Sequence, residues 1–328
     1  MNLKDIKMKY ITNQTNIALP IALWAAYDEY DYDGRENVIS TTSLLNPTRM
    51  VALQRLNKDA DKTVDIADLI GSRLGSAIHD SFEKVLLNKD YVRDTLRLMG
   101  YDEEAIKRVK INPEKIELND IPLWVENRAE KVVGDWIISG KYDMVINYQV
   151  QDIKSTSVWT YMFGSNDDKY IQQMSIYKWL NQDKIKSDTG IIHYIFTDWS
   201  KQKAMQDKNY PQQRVLSKEF RLMSLSQTEK FIKDKLTKLD EALKTGNLPL
   251  CTLEDLWQEP DKWKYFKKKN ANRATKVFDN EADAYARLAE EGQGEVRYFP
   301  GLVKRCNYCS VREFCDQYKD LQSLGLIS

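Results

Sequence analysis

Charged residues occupy positions in residues 140–157, GKYDMVINYQVQDIKSTS, where a sheet normally places apolar ones. The segment shows two short runs of alternating apolar and polar residues, which predicts a β-hairpin. Asp143, Asp152 and Lys154 fall among the apolar positions, where unpaired charge is costly. If the turn is centred on Asn147 and Tyr148, Asp143 faces Asp152 and Lys154 projects from the same face.

Two carboxylates that face each other across a ladder repel, and a bound cation reverses that effect. Mg²⁺ typically takes one or two carboxylates and completes its shell with water and phosphate oxygens. A nearby lysine can orient a water and offset developing negative charge. The hypothesis depends on register, because a three-residue turn would put the aspartates on opposite faces. The alternative is a set of solvent-facing charges on an exposed strand.

A predicted helix before the hairpin carries polar residues at intervals of four. Within residues 65–87, Gly75, His79 and Glu83 share one helical face. His79 is one of two histidines in the chain. It is a candidate metal ligand, with a structural histidine as the alternative.

Further candidates flank the hairpin on both sides. Gln173 and Tyr177 share a face of the helix predicted at 165–182, where Tyr177 could also be a core residue. Glu126 and Glu130 precede the hairpin, either as a further site acid or as solvated charges. Glu126 is the preferred candidate.

Five short motifs, in this order along the chain, resemble the RecB-like branch of the PD-(D/E)XK nuclease superfamily over about residues 71–180. They are GSAIH, an acid, GKYD, QDIK and QMSIY. The resemblance implies an α/β (α+β) fold, with a mixed sheet flanked by helices, and Mg²⁺- or Mn²⁺-dependent hydrolysis of DNA. It assigns metal binding to His79, Asp143, Asp152 and the carbonyl of Ile153, water positioning to Lys154, an additional acid to Glu126, and site support or DNA contact to Gln173 and Tyr177.

All four cysteines lie in the last third of the chain, at Cys251, Cys306, Cys309 and Cys315. The last three form a C-x2-C-x5-C array, a spacing more typical of metal ligands than of disulfides. The array resembles the iron–sulfur module of AddB-type and CRISPR-associated RecB-like nucleases, in which a fourth cysteine usually precedes the core. Here the corresponding segment, ISTTSLLNPTR, has no cysteine, and Cys251 follows the core instead. We predict a [4Fe–4S] cluster, with Zn²⁺ or four unliganded thiols as alternatives.

Residues 261–276, DKWKYFKKKNANRATK, combine basic and aromatic side chains, including Trp263, Tyr265 and Phe266. Basic residues can bind phosphates, and aromatic residues can stack on unpaired bases. The alternative is a solvated amphipathic hairpin. The predicted DNA-contacting residues, called the basic strip below, are Lys262, Trp263, Lys264, Lys267, Lys268, Lys269 and Arg273.

We therefore predict a nuclease core with an N-terminal helical segment over 1–248 and a metal-cluster and DNA-guide module over 249–328.

Composition sets broad limits on function. Among 328 residues, 49 Lys and Arg balance 49 Asp and Glu, so net charge argues neither for nor against nucleic acid. The apolar run at 17–26 is too short to span a bilayer; basic residues precede it, but the acidic segment 27–34 follows in place of a cleavage site. We expect a cytoplasmic protein without a membrane partner.

The expected activity is that of a DNA exonuclease in replication, recombination or repair, encoded by a phage or a bacterium. Its DNA would have single-stranded character. The chain has no G-x4-G-K-[ST] motif, so a helicase or recombination partner would be a separate chain. The alternatives are a non-catalytic nucleic-acid-binding protein with a zinc module, and a CRISPR-adaptation-type nuclease that acts within a complex.

Overall fold

The computed structural model describes residues 10–27, 33–60 and 63–327. The basic residues up to position 9 and positions 28–32 of the acidic segment lie outside these ranges. The helices are α1 Leu19–Ala26, α2 Thr41–Leu44, α3 Thr48–Leu56, α4 Ile66–Leu87, α5 Lys89–Leu98, α6 Glu103–Arg108, α7 Val158–Phe163, α8 Asp167–Leu180, α9 Lys201–Gln206, α10 Leu225–Thr245, α11 Glu281–Glu291 and α12 Asp316–Ser323. The strands are β1 Tyr10–Thr12, β2 Val38–Ser40, β3 Thr63–Asp65, β4 Val109–Ile111, β5 Ile121–Val125, β6 Arg128–Val133, β7 Trp136–Lys141, β8 Met144–Ile146, β9 Gln149–Thr156, β10 Thr189–Phe196, β11 Val215–Arg221, β12 Lys262–Phe266, β13 Lys276–Phe278 and β14 Glu295–Phe299. In the described ranges, no helix is long and apolar enough to cross a membrane.

The chain forms two compact units. The first contains Met1–Asn46 and Asp61–Thr237, and the second contains Pro47–Ala60 and Lys238–Ser328. The segment that carries α3 thus belongs to the same unit as the cysteines. The domain boundary expected between residues 248 and 249 stays a prediction.

A six-stranded mixed sheet, ordered β11-β10-β9-β8-β5-β4, forms the centre of the first unit. On one face, side chains of α4 and α5 such as Ile78 and Val92 pack against Ile153 of β9. On the other face, Met174 of α8 packs in a cluster that includes Val150 of β9. The predicted α/β architecture, with a mixed sheet flanked by helices, is confirmed.

The turn between β8 and β9 has two residues, as predicted. Asn147 and Tyr148 have φ of 47° and 66°, so both central residues are left-handed, as in a type I′ hairpin turn. Val145 pairs with Val150 and Met144 pairs with Gln151, which is the hairpin register that the sequence predicted. The paired residues end at Met144, and Asp143 lies directly before β8.

The helix that carries His79 begins and ends at polar caps. Asp65 accepts a hydrogen bond from the Ala67 amide at the start of α4, and Asp68 adds negative charge to its first turn. At the other end, the Asn88 amide bonds to the Val85 carbonyl. The cap at Asp65 fixes the residue at which α4 begins.

Gly140 allows α2 and α8 to pack closely against β7, the central strand of the sheet β2-β7-β6. A Cβ at this position would lie 2.6 Å from Leu180 Cδ1, 2.7 Å from Thr41 Oγ1 and 3.2 Å from Tyr177 Cδ1. Those contacts are shorter than van der Waals packing permits, so Gly140→Ala should destabilise the fold by about 1–3 kcal/mol. Chemical denaturation monitored by circular dichroism measures this change.

Gly71→Ala is the matched control for Gly140→Ala. Gly71 lies within α4, and nothing lies within 4 Å of an added Cβ. Alanine should stabilise the helix there by about 0.5–1 kcal/mol. Equal effects of the two substitutions would contradict the packing role assigned to Gly140.

The second unit contains the three-stranded antiparallel sheet β13-β12-β14, with α11 packed against it. Ala284 of α11 and Tyr265 of β12 are both fully buried. After β14 the chain continues through two short 3₁₀ helices, Arg305–Tyr308 and Arg312–Phe314, into α12. The cysteine array lies on this irregular segment.

Candidate active site

One cavity of about 380 Å³ in the first unit collects nearly all residues predicted for the metal site. It lies where α4 and α8 approach the start of β8 and the middle of β9. The predicted residues that line it are His79, Glu126, Asp143, Asp152, Lys154, Gln173 and Tyr177. Gly75 and Glu83 also line it, so the face of α4 that carries Gly75, His79 and Glu83 is directed at the cavity.

Asp143 binds two donors through a single carboxylate oxygen. Its Oδ2 lies 3.1 Å from His79 Nδ1 and accepts a hydrogen bond of 3.0 Å from the main-chain N–H of Ile153. Burial alone would raise the pKa of Asp143, but the hydrogen bond and charge of His79, with further help from Lys154, lower it below the ordinary value. The same hydrogen bond raises the pKa of His79.

Asp152 and Lys154 form an ion pair in which the aspartate is buried and the lysine is half-buried. Asp152 is 1% exposed, and its Oδ2 lies 2.6 Å from Lys154 Nζ. Desolvation, together with repulsion from Asp143, raises the pKa of Asp152 to about 6 despite the lysine. Burial lowers the pKa of Lys154, but the charges of both aspartates outweigh burial and raise it. A positive charge is therefore held next to two carboxylates inside the cavity.

Glu126 lies at the cavity in a strained backbone conformation. Its φ is 53°, a left-handed value that is unfavourable for glutamate and that often marks functional sites. Its main-chain N–H donates to the Asp143 carbonyl at 3.0 Å, and its carboxylate is paired with Lys141. Burial raises the pKa of Glu126, although Lys141 opposes this. Glu130 is instead 2.6 Å from Arg35, outside the cavity.

Gln173 and Tyr177 support each other from α8. Gln173 Nε2 donates a 2.8 Å hydrogen bond to the Tyr177 hydroxyl, and both side chains are buried. The Tyr170 ring, one turn before Gln173, lies 5.7 Å from Lys154 Nζ. These residues form an ordered polar wall rather than a solvated helix face.

The donors at this cavity fit a hard divalent cation. In the described part of the chain, no group of three or more His, Cys, Asp or Glu side chains is arranged to hold a metal ion, either at this cavity or among the four cysteines. Mg²⁺ does not require one, because it commonly uses one or two carboxylates and keeps several waters. Ile153 directs its N–H to Asp143, and in an extended strand the carbonyl of the same residue faces the same edge.

The cavity also includes residues that the sequence did not single out, namely Ser40, Thr41, Thr42, Ser76, Asp80, Arg128, Ser139 and Lys141. Lys141 could have been found, because it directly follows Gly140 in the GKYD motif. Ser40 and Thr41 come from β2 and α2, far from the other motifs in sequence. Only the pairing of β2 with β7 brings them to the site.

The four cysteines line a second, smaller cavity of about 30 Å³ within the second unit. All four thiols are free and half-buried. Arg49 of α3 is 5% exposed and donates from Nε to Cys315 Sγ at 3.2 Å, while its NH1 atom donates to the Leu248 carbonyl at 2.9 Å. The structure therefore brings Cys251 to the C-x2-C-x5-C array.

Burial affects the thiols of this cysteine cavity. Desolvation raises the pKa of Cys251 to about 12 and that of Cys306 to about 11, and it also raises the pKa of Cys309. The Cys251 main chain is held by Gln317, whose Oε1 accepts from its N–H at 2.8 Å. Four sulfur donors on one cavity suit Zn²⁺ or an iron–sulfur cluster by ligand type.

The basic strip lies on and after β12, and only part of it is open to solvent. Lys267, Lys268, Lys269 and Arg273 are exposed, whereas Lys262, Trp263 and Lys264 are half-buried. Lys264 Nζ lies 4.0 Å from the centre of the Phe299 ring. Tyr265 and Phe266 are buried, at 0% and 2% exposure, because they pack inside the β13-β12-β14 unit. Those two aromatics cannot stack on bases, and of the three aromatics in this segment only Trp263, the one predicted to contact DNA, is partly exposed.

Comparisons with known proteins give matches at the level of structure only. No protein-family profile and no curated protein matches the chain. The solved structure of SSO0001 is 19% identical with a TM-score of 0.40, over 66% of this chain and 83% of that one. A candidate exonuclease from Eubacterium rectale is 11% identical with a TM-score of 0.37, over 68% and 88%. A phage-related exonuclease from Haemophilus somnus 129PT is 14% identical with a TM-score of 0.27, over 63% and 93%.

Proposed function

We propose that this protein is a Mg²⁺- or Mn²⁺-dependent DNA exonuclease of the RecB-like type. The observation that carries the proposal is that Asp143, Asp152 and Lys154, which lie on or directly before the β8–β9 hairpin, line one cavity together with His79 and Glu126. Two paired carboxylates and a lysine in a polar cavity suit metal-assisted hydrolysis of a phosphodiester better than they suit a structural role.

The cation would be held by Asp143, Asp152 and the Ile153 carbonyl, with His79 as a further ligand. When bound, it supplies the positive charge that polarises the phosphate and lowers the pKa of water. Glu126 adds a third carboxylate to the same cavity. Two carboxylates line this cavity, Asp152 buried and Asp143 half-buried, and a cation bound between them would relieve their repulsion.

Lys154 would act on the water and the phosphate directly. Its Nζ is held within the cavity by Asp152 at 2.6 Å, so it can hydrogen-bond an attacking water. Its charge also offsets the negative charge that develops on the phosphate oxygens. Gln173 and Tyr177, linked by a 2.8 Å hydrogen bond, would keep that side of the cavity rigid or contact the DNA.

Incubation of the purified chain with end-labelled single- and double-stranded DNA tests the proposal. With Mn²⁺ or Mg²⁺ we expect progressive shortening from the ends, and with EDTA no degradation. A circular substrate without ends should persist. Absence of metal-dependent degradation on every substrate would contradict the proposal and leave non-catalytic nucleic-acid binding as the better reading.

We further propose that Cys251, Cys306, Cys309 and Cys315 hold a metal centre that stabilises the irregular end of the second unit. A [4Fe–4S] cluster follows from the resemblance, and Zn²⁺ is the alternative that four sulfur donors equally allow. The buried Arg49 offsets part of the negative charge of metal-bound thiolates. Metal analysis and visible absorbance of a preparation purified without oxygen distinguish the two, because only the cluster gives a brown colour.

The exposed part of the basic strip is our candidate guide for the DNA backbone. Lys268, Lys269 and Arg273 are exposed, so they are available to phosphates. Contacts of this type should weaken as salt concentration rises. A partner that unwinds DNA, acting as a separate chain, would supply strands with single-stranded character.

A further inference from the structure

The helix that follows the candidate catalytic strand exposes two stacked aromatic rings. Trp159 and Phe163 of α7 are 47% and 75% exposed. Their ring centroids are 5.7 Å apart with an interplanar angle of 15°. They are separated by four residues and therefore share one face of the helix. Isolated exposed apolar residues are ordinary, but a preformed stack of two aromatics on one face is more specific.

The rest of α7 fixes this face in place. Val158 is fully buried, and its main-chain N–H donates to Asp198 Oδ1 at 2.7 Å. Tyr161 and Met162 pack against the main core. The helix ends at Gly164, whose φ of 60° provides a left-handed cap. The aromatic pair is thus presented by a capped helix whose opposite side is anchored.

Positive charge lies beside the rings. Lys203 Nζ lies 5.9 Å from the centre of the Trp159 ring, and Lys201 and Lys208 are also exposed on or next to α9. Two exposed acids flank α9, namely Asp207 and Asp198, whose Oδ1 accepts the hydrogen bond from the Val158 N–H. An aromatic stack bordered by lysines is complementary to a strand with unpaired bases and a phosphate backbone, because bases stack on rings and phosphates attract cations.

The aromatic pair is close to the candidate catalytic residues along the chain. Trp159 follows Lys154 by five residues, and five residues span at most about 18 Å. A strand that enters the cavity could therefore contact both.

We propose that Trp159 and Phe163 form a stacking platform for unpaired DNA bases, with Lys203 as its phosphate contact. The choice of DNA as ligand rests on the proposed nuclease function. The platform would hold a single strand next to the cavity independently of the basic strip. An aromatic platform predicts a preference for single-stranded over duplex DNA, because duplex bases are already stacked.

Fluorescence polarisation with a labelled oligothymidylate in EDTA measures binding without hydrolysis. Trp159→Ala should weaken binding by about 5- to 150-fold, the range for loss of one base–aromatic stack. Trp159→Phe should retain most of the affinity, whereas Trp159→Leu should lose it despite its similar apolar character. Duplex DNA of the same length should bind Trp159→Ala and the unaltered protein equally.

Leu98→Ala is the control, because Leu98 is another apolar side chain with high exposure, at 89%, on a different helix. It should bind oligothymidylate as the unaltered protein does. Unchanged affinity of Trp159→Ala, or equal affinities of Trp159→Leu and Trp159→Phe, would overturn the proposal. Either result would indicate that the pair serves another occupant, such as a protein surface. Thermal unfolding of each variant confirms that the fold is retained.

These experiments test the stacking platform separately from the nuclease proposal. If the platform binds single strands but Mn²⁺ causes no hydrolysis, the platform stands and the nuclease assignment fails. If Mn²⁺ causes hydrolysis and Trp159→Ala binds oligothymidylate normally, the nuclease assignment stands and the platform fails.

Discussion

Lys154→Ala is expected to reduce the rate of DNA hydrolysis by about 10²- to 10⁴-fold, the usual range for a residue that positions or activates a reacting proton. Its affinity for DNA in EDTA should remain unchanged. Lys154 Nζ is the cation 2.6 Å from Asp152 in the cavity, so its loss removes the group that orients water and offsets charge. Single-turnover cleavage of end-labelled DNA with Mn²⁺ measures the effect.

Two further variants separate chemistry from folding. Removal of Lys154 leaves Asp152, which is 1% exposed, without its cation, so some loss of stability is expected. Lys154→Met keeps the buried stem and removes only the charge, and it should be as inactive as the alanine variant. Lys107→Ala removes an exposed lysine paired with Glu104 at 2.9 Å and should leave the rate unchanged. Full activity of Lys154→Met would rule out the assigned role.

Cys309→Ser is expected to lower the bound metal below one equivalent and to reduce the Tm by ~10 °C or more. Structural metal contributes directly to folding free energy, by about 10–16 kcal/mol for Zn²⁺ in small domains. A loss of only a few kcal/mol shifts the Tm of a unit of this size by this amount. Metal analysis and calorimetry of the full chain provide the two readouts.

Ser310→Ala is the neighbouring control for Cys309→Ser. Ser310 is exposed, and its hydroxyl accepts a hydrogen bond of 3.1 Å from Gln54 Nε2. Its removal should change neither metal content nor Tm appreciably, since exposed hydrogen bonds contribute little. If Cys309→Ser behaves in the same way as Ser310→Ala, the cysteine cavity is not a metal centre.

The parts of the candidate site that depend on local rules were predictable from sequence. Alternation of apolar and polar residues and a two-residue turn were enough to predict the pairing of Val145 with Val150 and to bring Asp143 and Asp152 to one cavity. The interval of four residues was enough to direct His79 and Glu83 to one side of α4. Both rules rest on fixed periodicities of strand and helix, which tertiary context seldom changes.

The features that sequence did not reveal depend on contacts between distant segments. Burial of Tyr265 and Phe266 follows from pairing of β12 with β14, which no pattern within residues 261–276 indicates. Arg49 reaches Cys315 across 266 positions of sequence. Glu126 could be selected as an acid, but its left-handed backbone arises from the path between β5 and β6.

The hydrogen bond from Ile153 to Asp143 connects the backbone of β9 to the chemistry of the cavity. A carboxylate oxygen takes the place that a strand carbonyl would occupy in an ordinary ladder. A cation or a proton that binds Asp143 Oδ2 therefore competes with the main-chain N–H of Ile153 for this oxygen. The N–H then needs another hydrogen-bond acceptor. The Ile153 amide thereby becomes an intrinsic reporter of the state of the site, and its nuclear magnetic resonance shift and solvent-exchange rate carry that information without any attached label.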